Sequence, residues 1–545
     1  MGMFLNSRVP YDTYKEILLD PYFVDKSSLI GELIPMLGRR NRYICITRPR
    51  RFGKTVMAAM IAAFFGKSDE QDSIFDTLEI ARTQAYTTHL HQHSVIYIDL
   101  SRTPESCSSY SDYITRITDG LKEDLTHAFP DAASSLKKPL WDILQHIYEE
   151  TRTRFIFILD EWDAVFHMPY ISRQDQTEYL LFLKNLLKDQ IYAELAYMTG
   201  ILPIAKYSSG SALNMFVEYD MALSEKFCEY FGFLDHEVDR LYEIFQYTQH
   251  HPQFTREDLR SWYDGYHTAT GKKLYNPRSV VLALTDQQLR NYWTSSGPYD
   301  EIFYYIQNNI DSMRDDLILL TAGEHVQTAI GQFTAATAKP ETKEQIYSAM
   351  VIYGLLTYHQ GEVLIPNKEL MDQYQELLLS KDSLGYVYRL AKKSEEMLQA
   401  TLALDTKTVE DILQYAHDTE SPILSYNNEA ELSAVVNLCY LSARDSYRVE
   451  REDQAGKGFV DFIFYPYQKQ MDCILLELKA DSSPEEALRQ IREKNYALRF
   501  KGKMSEKHIY HGRILAVGIS YNRKTKKHVC RIEVLESPGP SSITG

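Results

Sequence analysis

The chain reads as an α/β protein whose first part is a parallel sheet with helices on both faces. Short apolar runs rich in β-branched and aromatic residues recur along residues 1–235: "RYICIT" (42–47), "SVIYIDL" (94–100), "RFIFILD" (154–160) and "ELAYMTG" (194–200). Amphipathic stretches such as "TEYLLFLKNLLKDQI" (177–191) lie between them, and near-continuous apolar strands separated by helices indicate a parallel sheet covered on both sides. At 545 residues the chain is too long for one domain, and its pattern changes twice after this first part.

Residues 236–385 read as mostly helical. "TKEQIYSAMVIYGLLTY" followed by "HQGEVLIPNKELMDQYQELL" predicts a helix, a short two-stranded wing turning at Gly361, and a second helix, a small winged-helix-like lid. Residues 386–536 predict helices, then "FVDFIFYP" and "MDCILLELKAD" as paired strands, a helix, and the strand "RILAVGISY" (513–521). The tail, 537–545, reads as disordered.

Apolar content of 44% and charged content of 25% are those of a globular protein. No run approaches the roughly 18 apolar residues that span a membrane, and the start lacks the basic-then-apolar order of a secretory signal. The six cysteines are scattered, with no C-x-x-C pair, and read as reduced thiols of a cytoplasmic protein. A net charge of −16 excludes wholesale coating of nucleic acid and leaves room for a local basic patch. Such a patch exists in the linear sequence. From Arg489 to Arg531 there are thirteen Lys or Arg against two acids, Glu493 and Glu506. "HLHQHS" (89–94) has no accompanying carboxylates and reads as a solvated strand edge. Trp262, Tyr263 and Tyr266 read as a packed corner of the helical part.

The first chemical constellation is "ITRPRRFGKT" (46–55). A strand, a short loop and a helix starting at Lys54 are the context of a phosphate-binding loop, in which backbone N–H groups and a helix N-terminus point at the anion. The pattern G-x-x-x-x-G-K-[ST] wants glycine at position 48, where this chain has Arg48. Pro49 stiffens the loop, and Arg48, Arg50 and Arg51 are candidates to fork onto phosphate oxygens, with Phe52 and Gly53 completing the cradle. Lys54 would reach the β- and γ-phosphates of ATP, and Thr55 would bind Mg²⁺. The second half of such a site is "FIFILDEWD", whose Asp160 follows Thr55 by 105 residues. Asp160 is placed to hold Mg²⁺ and Glu161 to activate water. Thr199, closing a third strand, is a candidate sensor of the terminal phosphate.

The second constellation lies in residues 456–496. Asp461 is on one strand of a hairpin, and Glu477 and Lys479 are two apart on the next, so the pair shares one sheet face. Two carboxylates and a lysine on one face suit a divalent-metal site, with Asp461 and Glu477 as ligands and Lys479 orienting or activating water. Glu429, at a helix start, is a further candidate ligand. Gln490 and Lys494, one turn apart, are candidates for phosphate-backbone contact.

Together with "FVDKSSLI", "YMTGILPIAKYSSGSALNMF", "YFGFLDHEV" and "WYDGYHTATGKKLYNPRSV", these motifs resemble the AAA-ATPase-like family of bacterial proteins. Its members typically end in a PD-(D/E)XK nuclease-like domain. The resemblance covers nearly the whole chain and implies that the arginine-rich loop is a family feature. It further implies an AAA-like P-loop ATPase domain (1–235), the lid (236–385) and an α/β restriction-endonuclease-like domain (386–536). The expected activity is ATP binding and hydrolysis coupled to Mg²⁺-dependent cleavage of nucleic acid, with Mn²⁺ as a substitute metal at the nuclease-like site. DNA is expected in preference to RNA, and a homo-oligomer is compatible with the family. The rival expectation is a nucleotide-dependent switch or scaffold whose nuclease-like domain only binds nucleic acid or a protein partner.

Overall fold

The four apolar runs of the N-terminal part are strands in the computed structural model: β1 (Tyr43–Thr47), β2 (Ser94–Asp99), β3 (Phe155–Asp160) and β4 (Ala193–Gly200). A three-residue strand, β5 (Val217–Tyr219), joins them, and the parallel sheet runs β2-β3-β4-β1-β5. The structure describes residues 2–536 apart from 69–72, 105, 132–137, 205–211, 249–251, 294–309, 332, 334–339, 341, 381–385, 419–428, 451–460, 469 and 495–511. The expected tail, 537–545, therefore lies outside the described residues. The chain divides into two units, Met1–Ile302 with Gln327–Leu370, and Phe303–Val326 with Met371–Gly545.

In the first unit, alternate residues of each strand feed two separate cores, as the period of two dictates. Ile44, Ile46, Ile156, Ile158, Leu195 and Tyr197 pack on one face with the helix Lys54–Phe65. Cys45, Phe155, Phe157, Leu159 and Met198 pack on the other with the helices Tyr110–Ala128, Leu140–Thr151 and Arg173–Leu187. Lys54–Phe65 is apolar round most of its circumference because it is buried on nearly all sides. Each large side chain removed from water there contributes about 1.5–3 kcal/mol.

Three further helices, Asp235–Thr248, Arg256–Tyr263 and Pro277–Asp286, share one apolar cluster that includes Val238, Phe245, Leu259, Tyr263 and Val280. Lys26 and Glu237, both nearly buried, pair at 2.6 Å and tie the N-terminal segment to the first of these helices. Tyr263 and Tyr266 are fully buried, so this aromatic group is a packed corner. The winged pattern is present as well. The helix Lys343–Tyr353 leads to antiparallel strands Thr357–His359 and Glu362–Leu364, turned through Gln360 and Gly361 at φ 49° and 92°.

The second unit contains a five-stranded sheet in the order Tyr447–Glu450, Phe462–Pro466, Cys473–Ala480, Ile514–Asn522 and Lys527–Glu536. Only Cys473–Ala480 and Ile514–Asn522 pair in parallel, and the helix Pro484–Glu493 makes the crossover between them. Gly518 lets that helix lie close, since a Cβ there would meet the Pro484 carbonyl oxygen at 2.4 Å. The helix Thr406–Asp418 packs along the outer strand, with Glu410 Oε1 accepting from the Cys530 N–H at 2.9 Å. Among the described residues, no helix is long and apolar enough to cross a membrane. All six cysteines are free thiols.

Candidate nucleotide and metal sites

The phosphate-loop candidate begins where β1 ends. Gly53 has φ +85°, in the left-handed region, and heads the helix Lys54–Phe65. Nothing lies within 4 Å of a Cβ built there, so glycine answers a backbone requirement and not a steric one. Arg51 is also left-handed at φ +68°. Lys54 is buried and its Nζ donates to the carbonyls of Arg48 and Pro49, both at 3.0 Å. Burial pushes its pKa down, opposed by the charges of Asp163, Glu161 and Asp160.

The structure directs the side chains of two of the three arginines to backbone carbonyls. Arg48 is 1% exposed and lies over the Phe231 ring, and its guanidinium donates to the carbonyls of Thr47 (2.8 Å) and Tyr219 (2.7 Å). Burial lowers its pKa to about 10. It fastens the end of β1 to β5 instead of presenting a fork to phosphate. Arg51 donates to the carbonyls of Tyr292 and Trp293, the latter at 2.6 Å. Arg50, half-buried, lies close enough to Lys54 to oppose its charge. Phe52 is a packing anchor, edge-on to Tyr266 at 4.9 Å. Pro49 is buried and abuts Gly354, where a Cβ would meet its own Cβ at 2.8 Å.

The structure brings the second half of the motif to this loop. Asp160 is 1% exposed. Its Oδ1 accepts from the Thr199 hydroxyl, while its Oδ2 is buried with no hydrogen-bond partner among the described residues. Burial raises its pKa, opposed first by the Thr199 hydroxyl and then by Thr55. Thr199 also accepts from the Glu161 N–H at 3.3 Å. Glu161 sits at φ +51°, a left-handed conformation that is uncommon for a residue other than glycine. Burial raises the pKa of Glu161, with Lys54 acting in the opposite sense.

Sequence reasoning missed two carboxylates here. Asp99 ends β2 directly beside Asp160, and its charge raises the proton affinity of Asp160. Asp163 is buried and accepts from the N–H groups of Ile201 (2.9 Å) and Leu202 (2.7 Å), fixing the exit of β4 next to Thr199. The signal for Asp99 was available: "SVIYID" ends in an acid just as "FIFILD" does.

In the second unit, the pairing of Phe462 with Leu476 continues outward to set Asp461 opposite Glu477. Asp461 Oδ2 accepts from the Leu478 N–H at 2.6 Å. Glu477 is 1% exposed, its Oε1 accepting from Lys479 Nζ at 2.7 Å and its Oε2 buried without a partner among the described residues. Burial, then repulsion from Asp461, pushes Glu477 up to about 7, while Lys479 and Lys494 pull it down. Lys494 follows the helix Pro484–Glu493 at its C-terminal end, exposed and one turn past half-buried Gln490. Glu429 opens the helix Glu429–Cys439 as expected, but its side chain lies outside the described residues. Among the described residues, no three His, Cys, Asp or Glu side chains cluster as a metal-ligand set.

The basic stretch from Arg489 to Arg531 is less basic in space than in sequence. Residues 495–511 lie outside the described residues, and the arginines around them are paired. Arg489 pairs with Glu486 and Glu493, Arg492 with Glu533, Arg513 with Asp472, Arg523 with Asp481 and Arg531 with Glu485. Of these acids only Glu493 belongs to the stretch, so counting along the chain overstates the positive charge. The histidines of "HLHQHS" also differ from a solvated edge. Half-buried His93 contacts His89 at 3.0 Å and Glu194 at 3.0 Å, at the start of β2.

Comparison with known proteins gives a separate match for each of the two sites. Residues 9–209 match a family model described as a predicted AAA-ATPase, and residues 427–529 match the PD-(D/E)XK nuclease superfamily. A protein of Azotobacter chroococcum, described as an uncharacterised protein in the vnfD 5′ region, is 20% identical over 540 residues, covering 94% of this chain and 95% of that protein. The Walker-type ATPase of Pyrococcus abyssi aligns at 10% identity with a TM-score of 0.34, over 64% of this chain and 94% of its own. The Aeropyrum pernix ORC1 protein in complex with DNA aligns at 12% identity with a TM-score of 0.26, over 92% of this chain and 99% of its own.

Proposed function

We propose that this chain, with an AAA-ATPase-type segment and a PD-(D/E)XK superfamily segment, is an ATP-controlled, divalent-metal-dependent nuclease acting on nucleic acid in the cytoplasm. One observation supports both halves. Each site has a buried carboxylate with one oxygen held by a neighbour and the other without a partner among the described residues: Asp160 Oδ2 and Glu477 Oε2. Buried polar atoms are almost always satisfied, so an orphan calls for an explanation such as an ion. Hard oxygen donors suit Mg²⁺, supplied by Thr55 and Asp160 in one unit and by Asp461 and Glu477 in the other. Glu429 would be a third ligand of the second set.

A bound divalent cation would neutralise developing charge on phosphate oxygens and lower the pKa of water. The protein's own groups do the rest. Lys54 would exchange its two loop carbonyls for β- and γ-phosphate oxygens, a charge-assisted contact. Glu161 would take a proton from the attacking water, helped by the burial that raises its proton affinity. Thr199 holds Asp160 and the Glu161 backbone in one place. At the second site Lys479, anchored on Glu477, would orient water toward a phosphodiester, while Gln490 and Lys494 hold the strand.

Two substitutions test the nucleotide half. Lys54→Ala should weaken Mg·ATP binding by a hundredfold or more, and Glu161→Gln should bind ATP while releasing no phosphate, both read by calorimetry and phosphate release. Unchanged affinity in Lys54→Ala would overturn the loop assignment. The paired arginines favour one alternative, a nucleotide-dependent switch whose second unit binds a partner without cutting it. Wild-type protein that binds ATP and nucleic acid but cleaves none of a panel of DNA and RNA forms, with Mg²⁺ or Mn²⁺, would support that alternative.

A further inference from the structure

Glu369 belongs to neither constellation, yet it is fully buried and heavily bonded. Its oxygens accept from the Ser279 hydroxyl at 3.0 and 2.9 Å, and Oε1 also accepts from the N–H groups of Tyr292 (2.7 Å) and Trp293 (2.8 Å). The Asn291 amide donates to the Glu369 carbonyl at 2.9 Å. The carbonyls of the same two residues, Tyr292 and Trp293, accept from the Arg51 guanidinium in the phosphate loop. A carboxylate that draws on a peptide N–H makes the neighbouring carbonyls better acceptors, and such chains reinforce one another. The link also works electrostatically: Arg51 lowers the proton affinity of Glu369, against a burial effect that pushes it up to about 7.

The Arg51 backbone is left-handed, a conformation uncommon for a residue other than glycine, and the bonds to Tyr292 and Trp293 help to hold it there. Phe52 against Tyr266 and Pro49 against Gly354 secure the residues on either side. We infer that Glu369 is a positioning residue of the nucleotide site. It fixes the Tyr292–Trp293 backbone as a receptor for Arg51, and through Arg51 it holds loop 48–53 in the shape that receives a nucleoside triphosphate. The inference rests on the phosphate-loop reading above. It extends the site into the helical lid, more than 300 residues along the chain from the loop, since Arg51 and Glu369 are 318 positions apart.

The test is a double-mutant cycle on the full chain. Mg·ATP affinity is measured by calorimetry for the wild type, Glu369→Gln, Arg51→Ala and the double variant. Each single change should weaken binding about tenfold or more, the scale of a hydrogen-bond set to a charged group. The double variant should bind no more weakly than Arg51→Ala, because both act through one link. Arg51→Lys, which keeps a donor for the two carbonyls, should recover part of the loss. Hydrogen exchange without nucleotide gives a second readout: Glu369→Gln should speed exchange in residues 48–54 as well as 291–293. Unchanged ATP affinity in Glu369→Gln, additive losses in the double variant, or faster exchange confined to 279–293 would each overturn the inference. If the wild type binds no ATP, the phosphate-loop reading itself falls, an outcome separate from these.

Discussion

Thr199 shows how much one hydroxyl can organise. It donates to Asp160 and accepts from the Glu161 N–H, so a single Oγ1 sets both carboxyl positions relative to the loop. Thr199→Val keeps the shape and removes both bonds. Phosphate release should fall by roughly tenfold to a hundredfold, the cost of losing hydrogen bonds to a charged group, with a smaller loss of ATP affinity. Equal phosphate release by the variant and the wild type would show that Thr199 merely ends a strand. At this scale the sequence was informative about identity and poor about direction. Lys54, Thr55, Asp160 and Glu161 follow from strand ends and helix starts, which fix where a side chain begins. Arg48 does not, because whether a guanidinium turns to phosphate or into the core depends on β5 and Phe231, far along the chain. Glu369 carried no sequence signal at all, since its partners at 279, 292 and 293 are joined to it only by folding.

At the scale of elements, the strands that could be read are those buried on both faces, where an apolar run is required by packing. Val217–Tyr219 escaped because it is three residues long with Val217 exposed, and only its ladder to β1 makes it a strand. Lys527–Glu536 escaped because charged residues interrupt the apolar pattern of this outer strand, along which the helix Thr406–Asp418 packs. That helix and strand enclose His528, which burial and the nearby His417 push down to about 3 from an ordinary value of 6.5, with Asp418 opposing. The unfolded chain therefore binds a proton below pH 6.5 that the folded chain refuses, so stability is lost as pH falls from 6.5 toward 3. At pH 5 the penalty is about 2 kcal/mol. Denaturant unfolding of the second unit at pH 7.5 and 5 should show this loss in the wild type and not in His528→Phe, which keeps an aromatic ring against Tyr521. A loss of the same size in both proteins would place the acid sensitivity elsewhere.

Over the whole molecule, two sites with no residue in common lie in two units, and family matches fall separately on each. This separation makes the central claim testable, because chemistry at one site can be removed without touching the other. The most direct measurement compares wild type, Asp461→Asn and Lys479→Ala for Mg²⁺- and Mn²⁺-dependent cleavage of DNA and RNA, with and without ATP, alongside ATP affinity. On the proposed reading, Asp461→Asn would remove a ligand charge and Lys479→Ala the group that orients water. The account predicts cleavage by the wild type, loss of at least a hundredfold in both variants, and unchanged ATP binding in all three. Cleavage that persists undiminished in both variants, or a wild type that cuts nothing under any of these conditions, would contradict it.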